Sequence, residues 1–355
     1  MKPKVSILKV RQSVPEAVRE AMELADWKSF IPRGAKVALK PNLGFDFFLP
    51  GTVTGPWVVE GVIQTLKGYV DQIYLVESGQ ILVNVERALQ QTGMADLCRR
   101  YDVPWVNMSK GPFKRLKVPD GLVLREVEVP EILLKTTLIT IPVMKTHGRT
   151  VITGALKNQW GCLRELRHNY HLVLDEALAD VNALFKPAFA VMDGTVGLEG
   201  DGPKSGRPKV ADRVLASSDA VALDAVAAKV MGFDPQDIRH IQLCAGRGLG
   251  IGNPNQIEMV GEDASGLNLG FQRGRNNFVA VVEIALRRSF LRGLVFHTPL
   301  LSFLALAAIL WYYIWYYLVA GRRYRDLILG HPFYGAQWRK VGESVAGRGR
   351  RRRSF

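Results

Sequence analysis

The sequence predicts an α/β protein with a mostly parallel, doubly wound sheet, an inserted β-hairpin and a C-terminal membrane helix. Three observations support this fold class. Apolar strand-like runs alternate with amphipathic helical patterns in the first half of the chain, as is typical of parallel strands joined by crossover helices. Asp120-Gly121 lies between two runs of alternating apolar residues, which favours a hairpin turn. From Leu294 to Val319 no residue carries a formal charge.

The elements of the globular part follow in order from this periodicity. Strands are expected at 5–10, 36–43, 72–78 and 104–108, and helices at 14–27, 56–69 and 85–101. After the hairpin at 115–130, buried strands are expected at 136–145 and 187–194, with a helix at 172–185. A Gly-rich loop is expected over 193–209, followed by a strand and a Ser/Asp-capped helix that ends at Gly232. A short helix at 235–245 and a strand at 256–261 complete this part.

The net charge of +14 is concentrated near the C-terminus. From Arg287 to Phe355 there are 13 Lys or Arg and 2 Asp or Glu, a net of +11, which leaves +3 for the preceding residues. A nearly neutral body makes nucleic acid an unexpected partner. The three cysteines form no Cys-x-x-Cys or Cys/His cluster, which indicates a reduced compartment. The N-terminus shows no signal-peptide pattern, so we expect a membrane-attached protein whose globular domain is cytoplasmic.

The uncharged segment Leu294–Val319 predicts membrane attachment, because about 20 helical residues cross a bilayer core. A single span would carry the basic tail across the membrane against the positive-inside bias, whereas a re-entrant or in-plane helix would keep both ends on one side. Both arrangements remain open at this stage. The predicted organisation is a globular domain at 1–270, a basic amphipathic linker at 271–293, a membrane-spanning or re-entrant helix at 294–320, and a basic tail at 321–355. We expect the tail to bind anionic lipid headgroups.

Cationic and amide side chains follow two of the predicted strands. Lys40 and Asn42 end one strand, Lys145 and His147 end another, and Lys157 and Asn158 follow shortly after. Ligands of open α/β sheets bind at the carboxyl ends of the strands. These groups would suit a small carboxylate or phosphate ligand because most of them are hydrogen-bond donors with little competing negative charge. We predict Lys40, Asn42, Lys157 and Asn158 as substrate-binding residues, and Lys145 and His147 as catalytic residues. Solvated loop lysines are the alternative interpretation.

Acidic side chains form a second candidate set. Asp193, Glu199 and Asp201 are interspersed with glycines that could allow their carboxylates to converge, and Asp224 lies on an otherwise apolar helix. Converging carboxylates can hold a divalent cation or supply a general base. We therefore predict Asp193 as a catalytic residue, and Asp193, Glu199, Asp201 and Asp224 as metal ligands. An exposed Gly/Asp turn explains the first three equally well.

Four motifs in the same order resemble the family known as domain-of-unknown-function family 362: VALKPNL, IPVMKTHGRTVITGALKNQWG, AVMDGTVGLEGDGPKSGRP and LASSDAVALDAVAAKVMGFDP. The resemblance covers roughly residues 36–261. Some members of that family carry a ferredoxin-like segment with cysteine ligands for iron–sulfur clusters. This chain has no such segment, so an iron–sulfur cluster is not expected in it.

Three functions are compatible with these observations. The first is a membrane-attached enzyme of unknown reaction that holds an anionic, lipid-linked or isoprenoid substrate between the Lys/His set and the acidic loop. The second is a noncatalytic membrane-tethered scaffold or assembly factor. The third is a binding protein for a metal or redox cofactor. The sequence does not identify the cofactor or the oligomeric state, and a divalent metal is the cofactor that the acidic set would fit.

Overall fold

A computed structural model describes residues 2–264 and 266–351, without the side chains of 165, 166, 168 and 346–351. Its strands are β1 Lys4–Lys9, β2 Lys36–Pro41, β3 Gln72–Glu77, β4 Trp105–Asn107, β5 Phe113–Lys117, β6 Glu126–Pro130, β7 Thr137–Ile141, β8 Val143–His147, β9 Val151–Ile152, β10 Phe189–Glu199, β11 Arg207–Ser217 and β12 Glu258–Gly261. The helices of the globular part are α1 Val14–Leu24, α2 Pro56–Leu66, α3 Val85–Gln91, α4 Met94–Tyr101, α5 Gly154–Asn158, α6 Leu174–Leu184, α7 Ala220–Met231 and α8 Arg239–Gly246. The C-terminal helices are α9 Phe278–Arg288, α10 Arg292–Phe296, α11 Leu300–Ile314, α12 Gly321–Leu329 and α13 Tyr334–Arg351.

The predicted α/β class is confirmed. Within the described residues, ten strands form the main sheet in the order β12-β1-β11-β10-β7-β2-β3-β4, with β8 paired to β10 and β9. The pairs from β10 through β7, β2 and β3 to β4 are parallel, whereas β11 runs antiparallel to β1 and β10. Successive residues of β2 contact different cores, since Val37 and Leu39 pack in one apolar cluster and Ala38 in another. The sheet is therefore covered on both faces, as a doubly wound fold requires.

The inserted hairpin is confirmed, but its turn is wider than a two-residue Asp-Gly turn. Strands β5 and β6 pair antiparallel and are joined by residues 118–125. The buried Asp180 carboxylate accepts hydrogen bonds from the backbone N–H groups of Leu122, Val123 and Leu124. Arg247 also donates to Asp180 at 2.6 Å. A carboxylate distant in sequence thus fixes the conformation of this longer loop. The turn residues themselves could not predict this contact.

The Gly-rich stretch at 193–209 is mostly strand and not the predicted loop. β10 and β11 form a long antiparallel pair joined by residues 200–206, with a bulge between Gly194 and Val196. A side chain at Gly197 would lie 2.4 Å from the carbonyl oxygen of Met144. Several of these glycines therefore serve close strand packing and not loop flexibility.

The C-terminal region also differs from the predicted linker and tail. Phe271 lies in a core cluster of the globular domain, and Tyr334 and Trp338 of α13 are buried in another. Trp338 packs edge-on against Trp57, with ring centroids 4.6 Å apart. Residues 321–345 are thus two docked helices and not a free basic tail, because aromatic side chains anchor them. The arginine-rich run at 348–353 lies outside the described side chains.

One C-terminal helix meets the length and composition expected of a membrane span. Leu300–Val319 has a mean hydropathy of 1.6, and only 11% of its most apolar window is buried. The low burial argues against a soluble core helix. Its aromatic end nevertheless docks on the globular domain, where Tyr316 stacks on Phe47 at 5.0 Å and hydrogen-bonds the carbonyl oxygen of Phe48.

Candidate functional site

A cavity of about 520 Å³ opens at the carboxyl ends of β2, β3 and β8. The six residues of the predicted cationic and amide set all line this cavity: Lys40, Asn42, Lys145, His147, Lys157 and Asn158. We call these six, together with Arg149 and Lys204, the cationic floor. Apolar side chains of α9, α10 and α11 line the same cavity, and we call them the apolar roof.

The strands β2 and β3 supply a buried ion pair at the base of the floor. Lys40 Nζ lies 2.9 Å from Glu77 Oε2, and the side chains are 1% and 5% exposed. Gly161 must be glycine here, because a Cβ would lie 2.4 Å from Glu77 and 2.6 Å from Lys40 Nζ. Such a pair costs desolvation energy and is stable only while both partners are present. It anchors the base of the floor and leaves no excess charge.

Two amide side chains connect this ion pair to the rest of the floor. Asn158 Nδ2 donates to the Lys40 carbonyl at 3.0 Å and to Thr140 Oγ1 at 2.8 Å. Asn42 Oδ1 accepts from Lys145 Nζ at 2.9 Å. The amides are therefore fixed by protein groups, and the network holds Lys145 in place.

Three amines of the floor have no carboxylate partner among the described residues. Lys145 donates to Asn42 and to the Thr52 carbonyl, each at 2.9 Å. Lys204 is 8% exposed and lies 5.7 Å from the ring centroid of Tyr312. For Lys157, no hydrogen bond or ion pair to the described residues is found. These amines line the same cavity, and none of them forms an ion pair with a described carboxylate.

Burial and mutual repulsion lower the pKa values of these amines. Burial, followed by the charges of Lys157 and Lys204, lowers the pKa of Lys145 to about 7. Burial, followed by the charges of Arg149, Arg167 and Lys204, lowers the pKa of Lys157 to about 7. The pKa of Lys204 falls to about 8, again chiefly through burial. An anion in the cavity would favour the protonated forms.

His147 is a neutral imidazole in this setting. Burial, and then the charge of Lys157, holds its pKa well below the ordinary value. Its Nδ1 accepts from the backbone N–H of Arg149 at 3.1 Å and of Thr150 at 3.3 Å. The hydrogen-bond network therefore assigns the ring proton to Nε2. The side chain can donate a hydrogen bond from Nε2 without carrying charge.

Glu283 of α9 joins the roof to the floor. Its carboxylate lies 2.9 Å from Arg149, 2.7 Å from His171 Nδ1 and 2.8 Å from Arg287. Burial alone would raise the pKa of Glu283, but the hydrogen bond and charge of His171 and the charge of Arg149 hold it well below its ordinary value. The carboxylate is therefore ionised and pairs with the cations around it.

The acidic set is not brought together. Asp193 Oδ2 accepts from the Gly55 backbone N–H at 2.7 Å and Oδ1 from Thr195, while Glu199 lies 3.1 Å from Lys209. Asp201 is exposed on the turn after β10. In the described part of the chain, no group of three His, Cys, Asp or Glu side chains is arranged to hold a metal ion. Asp193 and Glu199 are six positions apart on the extended strand β10, at about 3.3 Å per residue, and each has its own hydrogen-bond partners.

Asp193 and Asp224 are both buried, and their carboxylates accept hydrogen bonds from backbone N–H groups. Burial raises the pKa of Asp193 to about 6, and this residue does not line the cavity. Asp224 accepts from the backbone N–H groups of Ala155 at 2.6 Å and Leu156 at 2.9 Å. Asp224 therefore caps α5, the helix that carries Lys157 and Asn158, and acts as a positioning residue. Burial raises its pKa to about 7.

Sequence reasoning did not assign Arg149, Lys204 or Glu283 to the site. Lys204 reaches the floor because the Gly202 backbone packs against β8, where a Cβ would lie 2.1 Å from the Thr146 carbonyl oxygen. The Gly-Pro-Lys-Ser-Gly pattern around Lys204 was the available signal. Glu283 is distant in sequence and gave no signal of its own.

Comparison with known proteins identifies the family. The family model described as "Domain of unknown function (DUF362)" matches residues 37–229. The chain belongs to this family. The family segment contains the six predicted floor residues, Arg149 and Lys204, whereas α9–α13 lie outside it. The chain is also 26% identical over 260 residues to "Thylakoid-associated protein sll1697" of Synechocystis sp., an alignment covering 70% of this chain and 78% of that protein.

Proposed function

We propose that this protein is a membrane-attached protein that binds an anionic amphiphile, with its headgroup on the cationic floor and its hydrocarbon part against the apolar roof. The observation that carries this proposal is the unlike character of the two cavity walls. Lys145, Lys157 and Lys204 of the family segment line the cavity. Leu301, Leu304 and Ala308 of α11 line the same cavity with apolar side chains. A ligand that satisfies both walls must have a charged end and an apolar end.

Two observations support membrane attachment. The outer side of α11 exposes large apolar side chains, including Phe303 at 69%, Leu306 at 55% and Leu310 at 54%. Such an apolar surface is typical of a membrane or partner contact. The relative from Synechocystis sp. is named as thylakoid-associated. We take the lipid surface as the partner of this face.

The contacts at the end of α11 favour a helix that lies in the membrane plane. At the C-terminal end of the apolar helix, Tyr312 and Tyr316 pack against Phe45. Further along the chain, Trp338 of α13 packs against Phe48 and Trp57. A spanning helix would have to carry the buried Tyr334 and Trp338 away from their core contacts. An in-plane helix keeps them and resolves the charge conflict of a basic segment beyond the span.

His147 supports an enzymatic role in the same cavity. A neutral imidazole whose Nδ1 accepts two backbone N–H groups can donate an Nε2–H hydrogen bond to a developing negative charge. We propose His147 as the hydrogen-bond donor that stabilises negative charge developing on the bound amphiphile. His147→Gln should retain ligand affinity while removing turnover of the ligand in a membrane lipid extract, followed by mass spectrometry. Loss of affinity and turnover together would assign His147 to binding alone.

Calorimetric titration of the full chain in a nonionic detergent with decyl phosphate tests the binding proposal. We expect Lys157→Met and Lys204→Met each to weaken binding by roughly ten-fold or more, because each removes a charge-assisted contact. Lys67→Met, the same substitution at an exposed position, is the matched control and should bind like the wild type. Unchanged affinity in both floor variants would contradict the headgroup site.

The apolar wall requires its own variant. Ala308 lines the cavity, and Ala308→Trp would occupy the space offered to the hydrocarbon chain. We expect this substitution to remove the affinity advantage of decyl phosphate over butyl phosphate. An advantage that persists at its wild-type size would contradict the proposed place of the hydrocarbon part.

A further inference from the structure

In the described part of the chain, the cavity lining contains more cations than acids. Apart from Arg167, which hydrogen-bonds Ser78 and the Leu163 carbonyl, six described lining residues are cationic and two are acidic: Lys40, Lys145, Arg149, Lys157, Lys204 and Arg287, against Glu77 and Glu283. A buried surface with this imbalance is costly, since each unpaired charge is taken out of water. A ligand that neutralises the imbalance recovers part of that cost.

The two acids are already engaged with other cations. Glu77 pairs with Lys40 at 2.9 Å, and Glu283 lies between Arg149 and Arg287. Lys145, Lys157 and Lys204 are left without an ion pair in the described part of the chain. A single negative charge would therefore leave most of the imbalance in place.

The three amines come from three separate elements. Lys145 is on β8, Lys157 is on α5, and Lys204 is on the turn between β10 and β11. Amines that reach one space from different directions suit an anion whose oxygens also point in several directions. A phosphate group presents three terminal oxygens, whereas a carboxylate presents two oxygens in one plane.

We infer that the headgroup is a phosphate ester or diphosphate carrying at least two negative charges, and not a carboxylate. This inference deepens the proposed function and rests on it. The ligand class is thus a lipid phosphate, such as a prenyl or acyl phosphate. The lowered pKa values of Lys145, Lys157 and Lys204 show that the folded protein disfavours their positive charges, and a ligand with more than one negative charge would compensate them.

Four probes distinguish the outcomes on the full chain in nonionic detergent at pH 7.5: decyl phosphate, decanoate, decanol and inorganic phosphate. At this pH the ester is mostly dianionic because its second pKa is about 6, whereas decanoate carries one charge. We expect decyl phosphate to bind roughly ten-fold more tightly than decanoate. The preference should be lost in the Lys157→Met/Lys204→Met double variant and retained in Lys67→Met.

The alternative results separate the two proposals. Equal affinity for decyl phosphate and decanoate would overturn the phosphate inference while leaving the anionic-amphiphile proposal standing. Decanol binding as tightly as both would overturn the two proposals together, because charge would then be irrelevant. Inorganic phosphate binding as tightly as decyl phosphate would sustain the phosphate site and contradict the apolar half of the proposed function.

Discussion

The floor and the roof of the cavity come from different parts of the chain. The floor side chains from Lys40 to Lys204 fall within residues 37–229, the segment that defines the family, whereas the roof begins after residue 270. The family segment thus supplies the polar lining, and the C-terminal helices supply the apolar lining and an exposed apolar surface. Under the proposed function, the headgroup and the hydrocarbon part would contact different segments of the chain.

The two walls also differ in how they are held. The floor is fixed by a buried network that includes the Lys40–Glu77 pair and the Asn42 and Asn158 amides. The roof is held by fewer polar contacts, among them Glu283 with Arg149 and Asn277 with Tyr312. Substitutions in the Lys40–Glu77 network should therefore lower stability, whereas substitutions on the outer roof should change membrane attachment alone.

The largest expected effect concerns the outer side of the roof. Phe303→Glu/Leu306→Glu/Leu310→Glu removes three exposed apolar side chains, each worth about 1.5–3 kcal/mol when transferred out of water. We expect co-sedimentation with phospholipid vesicles to fall by on the order of 100-fold. Decyl phosphate binding in detergent should be unchanged, because these three side chains do not line the cavity.

A matched control places the same charges on exposed leucines of the globular domain. Leu24→Glu/Leu122→Glu/Leu134→Glu should sediment with vesicles like the wild type, since the three exposed leucines lie on the globular domain and not on the α11 face. If the α11 variant kept its vesicle binding, a different surface would have to hold the membrane, and the contrast between the two walls would fail.

The second effect concerns the base of the floor. Glu77→Gln leaves the Lys40 ammonium buried without its carboxylate, and we expect a loss of about 3–5 kcal/mol in the free energy of unfolding by urea. Glu131→Gln is the control, because it breaks the exposed Lys135–Glu131 pair and should cost less than about 1 kcal/mol. Equal losses in the two variants would show that burial of the Lys40–Glu77 pair is not decisive.

Much of the floor could be predicted because its residues follow strands whose carboxyl ends share one edge. The run before Lys40 and the run before Lys145 are apolar. β2, which carries Lys40, pairs in parallel with β7, and β7 leads directly into β8, which carries Lys145. The same geometry does not bring together the acidic residues that were predicted as metal ligands. Asp193 lies inside an eleven-residue strand, and strand geometry gives its carboxylate a backbone partner far from that of Glu199.

The roof could be predicted only in part. The apolar composition of Leu300–Val319 indicated a membrane helix, but its position over the cavity depends on contacts such as Tyr312 with Phe45 that are distant in sequence. The packing of α13 against the globular domain was not predicted, because basic residues surround Trp338 in the sequence. Charge patterning describes the exposed side of such a helix and not its buried aromatic side.

The third effect is a pH dependence of the floor. Lys145 and Lys157 have pKa values of about 7 and Lys204 of about 8, below the ordinary 10.5. The unfolded chain therefore binds more protons through these amines than the folded chain above pH 7, so each amine should make stability without added ligand rise with pH by up to about 1.4 kcal/mol per unit. The raised pKa values of the buried Cys98, Cys162 and Cys244 thiols oppose this rise only as the pH approaches 9, so the amines set the slope at pH 7.5–8.5.

Urea unfolding at pH 7.5 and 8.5 measures this slope. Lys157→Met should reduce it and leave the protein no less stable at pH 7.5, because the substitution removes a charge that the folded state disfavours. Lys67→Met should retain the wild-type slope. A stability that falls over this range in the wild type would mean that the amines are compensated by a group outside the described residues.

The smallest effect concerns Asp224, which positions the floor from beneath. Its carboxylate accepts from the N–H groups of Ala155 and Leu156, and its pKa of about 7 means that the charge is only partly present at neutral pH. Asp224→Asn keeps one acceptor oxygen, so we expect a loss of about 1 kcal/mol in stability. Decyl phosphate affinity should fall by roughly two- to three-fold because α5 carries Lys157. Asp234→Asn, which changes an exposed cap over Gln236, should leave the affinity unchanged. An unchanged affinity in Asp224→Asn as well would show that the β-strands alone position the floor.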